Sequence, residues 1–205
     1  MTMKKIESEY RDLYGDVSSD QMERLDELFK KCKNGKKRPE NGKLNEILNM
    51  EWNEINFVIY LLPKATPRPR CNRIMNTFYV MGAKDNKDIF KKFIVKQDIE
   101  MITTPCKFYC NSYLPIPKGM RHDEKILAEM GYIRPISKPD WDNLGKTYSD
   151  MIQGTLLFDD SLIIEGSSKK FYSTKPRIEI RIEYMKKYDS LYNEQKMRKK
   201  VEIYE

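Results

Sequence analysis

Apolar and polar residues alternate most regularly between Arg177 and Tyr184. Ile178, Ile180, Ile182 and Tyr184 fall on one side, and Arg177, Glu179, Arg181 and Glu183 on the other. That two-residue period predicts a strand with one buried and one wet face. Residues 55–62 are rich in β-branched and aromatic side chains and predict a buried strand. Further strands are expected at 77–80, 107–114, 156–165 and 169–172. The period lengthens to that of a helix over 84–101, where Ile89, Phe90, Phe93 and Ile94 share a side. A polar helix is expected over 118–130. Another starts near Asp142 and Asn143, with Leu144, Tyr148, Met151 and Ile152 as its buried stripe. Strands and helices intermingle without strict βαβ repetition, which predicts an α+β fold with a mixed sheet and packed helices.

The first fifty residues follow a different pattern. Ile6, Tyr10, Leu13 and Tyr14 share one helical face, and Gly15 ends it. A second helix opens at Ser18, where Gln21 completes a capping box, and carries Met22, Leu25, Leu28, Phe29 and Cys32 as its stripe. The basic run Lys36, Lys37, Arg38, Pro39 reads as a solvated linker. The expected organisation is a helical N-terminal extension (1–50), a main domain (51–185) and a charged tail (186–205), helical where it is ordered.

Composition narrows the partners. Lys and Arg number 38 against 31 Asp and Glu, a net charge of +7, which suits a polyanion such as nucleic acid. Cys32, Cys71, Cys106 and Cys110 lack the paired spacing of a zinc site. Cys106 and Cys110 are expected to be buried thiols. The single histidine, His122, stands among charged residues, so hydrolase chemistry built on a histidine is disfavoured. There is no glycine-rich phosphate loop, and no nucleotide cofactor is expected. Neither a leader pattern nor a membrane-length apolar run is present, which predicts a cytoplasmic protein with reduced thiols, away from the membrane.

Chemistry concentrates in two places. Residues 63–73 form a proline-stiffened basic loop with Arg68, Arg70 and Arg73, suited either to gripping phosphates or to a plain solvated surface. The stretch 138–150 brings Asp140 and Asp142 two residues apart at a helix entrance, then Lys146 and Asp150 at successive four-residue steps from Asp142. Two close carboxylates repel unless a cation lies between them, and a hard divalent ion such as Mg²⁺ is the natural occupant. A second acidic pair, Asp159 and Asp160, falls inside the apolar segment expected to be a strand, where bare charge is costly. Taken singly, these features also suit a helix cap, a surface ion pair and a turn.

The run Lys138, Pro139, Asp140, Trp141, Asp142, Asn143, Leu144, Gly145, Lys146, then Asp150, then Phe158, Asp159, Asp160, Ser161, Leu162, Ile163, resembles the RusA-type Holliday junction resolvases of bacteriophages and prophages. The resemblance extends over roughly residues 54–185. It implies a small α+β nuclease acting as a homodimer with Mg²⁺, Mn²⁺ being able to substitute, on branched DNA and above all on four-way junctions, in recombination and repair. By position, Asp140, Asp142 and Asp160 match the catalytic and metal-holding aspartates, and Lys146 matches a catalytic lysine. Asp150 and Asp159 match acidic positions that would stand behind them. Arg68, Arg70, Arg73, Lys169 and Lys170 become candidate backbone contacts. The N-terminal fifty residues and the tail depart from the compact family pattern. Other branched substrates such as flaps or forks, or DNA binding without cleavage, are the alternatives that the sequence leaves open.

Overall fold

The computed structural model describes residues 18–32, 51–66, 70–72, 77–79, 84–95 and 99–188. The chain divides into two compact units, one of residues 51–188 and one of residues 1–50 with 189–205. In the latter, helix α1 spans Ser19–Cys32. Its expected capping box is present: the Ser18 amide donates to Gln21 Oε1 at 3.0 Å, and the Gln21 amide donates to Ser18 Oγ at 3.3 Å. Leu28, expected on the apolar stripe, is exposed. The helix expected over 6–14 and the linker at 36–39 lie outside the described residues, as does the tail beyond Tyr188.

The larger unit is α+β. Strands β1 (Trp52–Ile59), β4 (Cys106–Pro115), β5 (Ile163–Ser173) and β6 (Arg177–Met185) form a mixed sheet in the order β1-β6-β4-β5. The pairs β1/β6 and β4/β6 are antiparallel, and β4/β5 is parallel. A parallel pair needs a long crossover. Here residues 116–162 supply it, including helices α3 (His122–Glu129) and α4 (Trp141–Ile152). A short hairpin, β2 (Arg70–Asn72) with β3 (Thr77–Tyr79), and helix α2 (Lys84–Val95) precede the crossover.

The alternation read from the sequence sets the core. Ile178, Ile180 and Ile182 are buried, as are Cys106, Phe108 and Cys110 on β4 and Phe57 and Ile59 on β1. Leu144, Tyr148, Met151 and Ile152 of α4 close over them, together with Phe90 and Ile94 of α2. Tyr148 stacks on Phe90 with ring centroids 5.4 Å apart. The two thiols on β4 are buried and free, and burial pushes Cys106 up to about 11 and Cys110 up to about 12.

Three expectations are corrected. The helix expected over 84–101 ends at Val95, and Ile89, placed on its apolar side, is exposed. Met101 is not helical, because the Ile102 amide donates to the Leu156 carbonyl and the chain there is tied to the next segment rather than to its own turn. The polar helix expected over 118–130 is limited to His122–Glu129, with His122 exposed. The segment 156–165 is not one strand: turns follow α4, a 3-10 turn covers Asp160–Leu162, and β5 starts at Ile163. Strand β5 then runs unbroken through Gly166, Ser167 and Ser168, residues whose turn-like composition hid its continuity.

Candidate active site

Helix α4 begins where Pro139 ends an extended stretch. Asp140 occupies the cap position with extended backbone (φ −69°, ψ 145°), two residues before Asp142, which lies in the first turn. A capping aspartate normally accepts a hydrogen bond from the helix's own amides. The Asp140 side chain makes no such bond. Asp140, Asp142 and Lys146 are exposed, so these charges face solvent along the first half of the helix.

That end is held firmly by β5. Ser168 Oγ donates to the Trp141 carbonyl at 2.8 Å, and the Lys170 ammonium donates to the carbonyls of Ser137 and Pro139, each at 2.9 Å. The carbonyls on both sides of Asp140 are thus tethered to one strand. Gly145 permits the approach, since a Cβ there would lie 3.1 Å from the Ser168 Cβ. Of the two lysines read as DNA contacts, Lys170 turns toward α4 and spends two of its donors on this loop. Lys169, its neighbour on the strand, lines the opposite sheet face with Tyr109, Asn111 and Arg181.

The same helix grips the base of the basic loop. The Thr66 amide donates to Thr147 Oγ1 at 2.8 Å, and Asn143 Nδ2 donates to the Thr66 carbonyl at 3.3 Å. The Lys64 amide donates to the Tyr148 hydroxyl at 3.1 Å. Burial raises the Tyr148 pKa, opposed by this bond. Arg68 and Arg73 lie outside the described residues, and of Arg70 the described part is its backbone in β2.

The second acidic pair lies at the 3-10 turn before β5. Asp159 caps the 3-10 turn, its carboxylate accepting the Ser161 amide at 2.9 Å, whereas Asp160 is exposed. The pair therefore sits at the mouth of a turn and not within an apolar strand, and no bare charge is buried there. Asp160 precedes Ile163, which is five residues and roughly 16 Å of strand upstream of Ser168. The anchored start of α4 is at Ser168, while the turns before Asp160 return to the helix's far end, where the Leu157 amide donates to the Ile152 carbonyl. Among the described residues, no three His, Cys, Asp or Glu side chains form a group able to hold a metal ion. Asp140 and Asp142 remain an open pair at the helix entrance. Mg²⁺ is commonly held in that way, by one or two carboxylates with water and substrate phosphate oxygens. Asp150 is half-buried, two turns along α4 from Asp142.

Several positioning residues were not singled out from the sequence. Asn143, Thr147 and Ser168 each tie α4 to another segment. A polar Thr147 within the apolar stripe was the available signal, because a buried hydroxyl requires a partner.

Residues 61–183, more than half of the chain, match the family described as Endodeoxyribonuclease RusA. The chain is also 33% identical over 135 residues to "Uncharacterized protein YqaN" of Bacillus subtilis (strain 168), an alignment spanning 62% of this chain and 94% of that protein. The matched region holds the anchored helix entrance, the base of the basic loop and the whole of β4, β5 and α4. The chain belongs to the RusA endodeoxyribonuclease family.

Proposed function

We propose that this protein is a Mg²⁺-dependent endonuclease that cuts four-way DNA junctions as a homodimer, in the cytoplasm, during recombination and repair. The observation that supports it most is the exposed Asp140 and Asp142 at the entrance of α4, free of capping duty on the Asp140 side and mounted on β5 by Ser168 and Lys170. When bound, the divalent ion supplies Lewis acidity and an activated water. Asp140 and Asp142 are its proposed holders, with Asp160 proposed as the third carboxylate.

The remaining roles belong to the chain itself. Lys146, one turn beyond Asp142, offsets charge growing on the phosphate oxygens during cleavage. The loop rooted by Thr66 and Lys64 carries Arg68, Arg70 and Arg73 toward the DNA backbone, positioning the substrate without reading base identity. A C₂ dimer matches the two-fold symmetry of a four-way junction, so two copies of one site make paired cuts.

The test is cleavage of a synthetic four-way junction, a flap and a linear duplex, with and without Mg²⁺, by wild type and Asp142→Asn. Junction cutting that needs both the ion and Asp142 is expected. Cutting of flaps in preference to junctions would reassign the substrate, and absence of cutting on every substrate would reject a nuclease role.

A further inference from the structure

Trp141 stands between Asp140 and Asp142 at the first position of α4, and 61% of its surface is exposed. A tryptophan usually buries most of its large ring. The backbone beneath it, in contrast, is fixed: Ser168 holds its carbonyl, Lys170 holds the Pro139 carbonyl, and Gly145 packs close to Ser168 one turn later. The protein's other tryptophan, Trp52, is 38% exposed and has the Lys107 ammonium 4.9 Å from its ring centre. Among the described residues, no ring or cation covers Trp141 in that way. The chain leading to it presents two more apolar tips, Tyr132 at 73% and Ile136 at 99% exposure.

An outward indole between two carboxylates is poorly matched to a phosphate, yet it offers a flat apolar face. Bases in a continuous duplex are stacked on both sides, while those at a branch point lack a neighbour on one side. Aromatic side chains bind such faces without regard to base identity. We infer that Trp141 is the branch-recognition residue: its indole stacks on the base exposed where DNA arms diverge and sets the adjoining phosphate beside Asp140 and Asp142. This rests on the nuclease reading above for its substrate, and it assigns the preference for branched DNA to a side chain distinct from those that support cleavage.

Trp52→Phe leaves Trp141 as the sole indole, because the chain has two tryptophans. In EDTA, adding a synthetic four-way junction with 2-aminopurine at the branch should quench both the indole and the 2-aminopurine. A linear duplex of the same sequence should leave the indole unchanged. Trp141→Ala should weaken junction binding about tenfold or more, the worth of a base–aromatic stack. It should leave duplex binding and the melting temperature unaltered, and Trp141→Phe should retain most of the junction preference. Junction binding by Trp141→Ala equal to wild type, or equal indole quenching by duplex and junction, would overturn the inference while leaving the nuclease reading in place. Junction-selective quenching by a protein that cuts no DNA with Mg²⁺ would do the reverse.

Discussion

The two faces of the central sheet are built from the same four strands and serve opposite ends. On the face covered by α2 and α4, side chains from β1, β4 and β6 are apolar and buried, and the candidate site stands at the edge of that layer. On the other face, cations lie over rings and beside carboxylates. Arg181 sits 4.1 Å from the Tyr109 ring and pairs with Glu183 and Glu54, Arg177 sits 3.6 Å from Tyr113 and pairs with Glu179, and Lys107 lies between Glu165 and Glu183. That face neutralises itself. A surplus of +7 therefore does not mark every lysine and arginine as a DNA contact, and much of the positive charge on β4 and β6 holds the sheet's own surface together.

Substitutions should separate the two faces sharply. The largest effect is expected from Asp142→Asn at the helix entrance: a loss of cleavage of about a hundredfold or more, with junction binding retained in a gel-shift assay. Ile180→Ala, which removes volume from the buried face, should cost about 2–5 kcal/mol in a denaturant titration. Lys170→Met frees the loop before Asp140 and should slow cleavage roughly 10–100-fold. Its dependence on Mg²⁺ concentration should shift while thermal stability changes little; an unchanged Mg²⁺ dependence would mean that the lysine acts elsewhere.

Alkaline pH probes the buried face by another route. Cys106 and Cys110 are held neutral, with pKa values raised from 9.0 to about 11 and about 12. Their contribution to stability is complete below pH 9 and is lost as pH rises toward 11–12. Denaturation midpoints should fall over that range, and both thiols should resist alkylation in the native protein at pH 8. The smallest effect is reserved for the open face. Arg181→Ala should cost less than about 1 kcal/mol, since its pairs are partly solvated, and junction cleavage should be unchanged. A large loss of cleavage there would abolish the distinction between the faces.

Local periodicity made most of this fold legible. The alternation of Arg177–Met185 and the stripe of α4 appear in the structure because each is set by burial of one face. The end of α2 and the start of β5 are not legible in that way, because the chain there is tied by long-range bonds between Ile102, Leu156 and Phe158, and periodicity carries no trace of such ties. Within the site, the clustering of acidic residues along the chain was visible. Where Asp140, Asp142 and Asp160 stand relative to one another was not, because that depends on which way α4 lies across β5 after the crossover. The inward turn of Lys170 was hidden for the same reason: its acceptors are backbone carbonyls some thirty residues away, and any residue type supplies those.

Asn143 and Thr147 stitch Thr66 to the helix whose entrance presents Asp140 and Asp142. On the proposed function, a duplex drawn against the arginine-bearing loop would therefore pull on the very rod that carries the carboxylates. Grip and blade share a single lever, so slackening those stitches would let the protein hold its substrate while losing its aim.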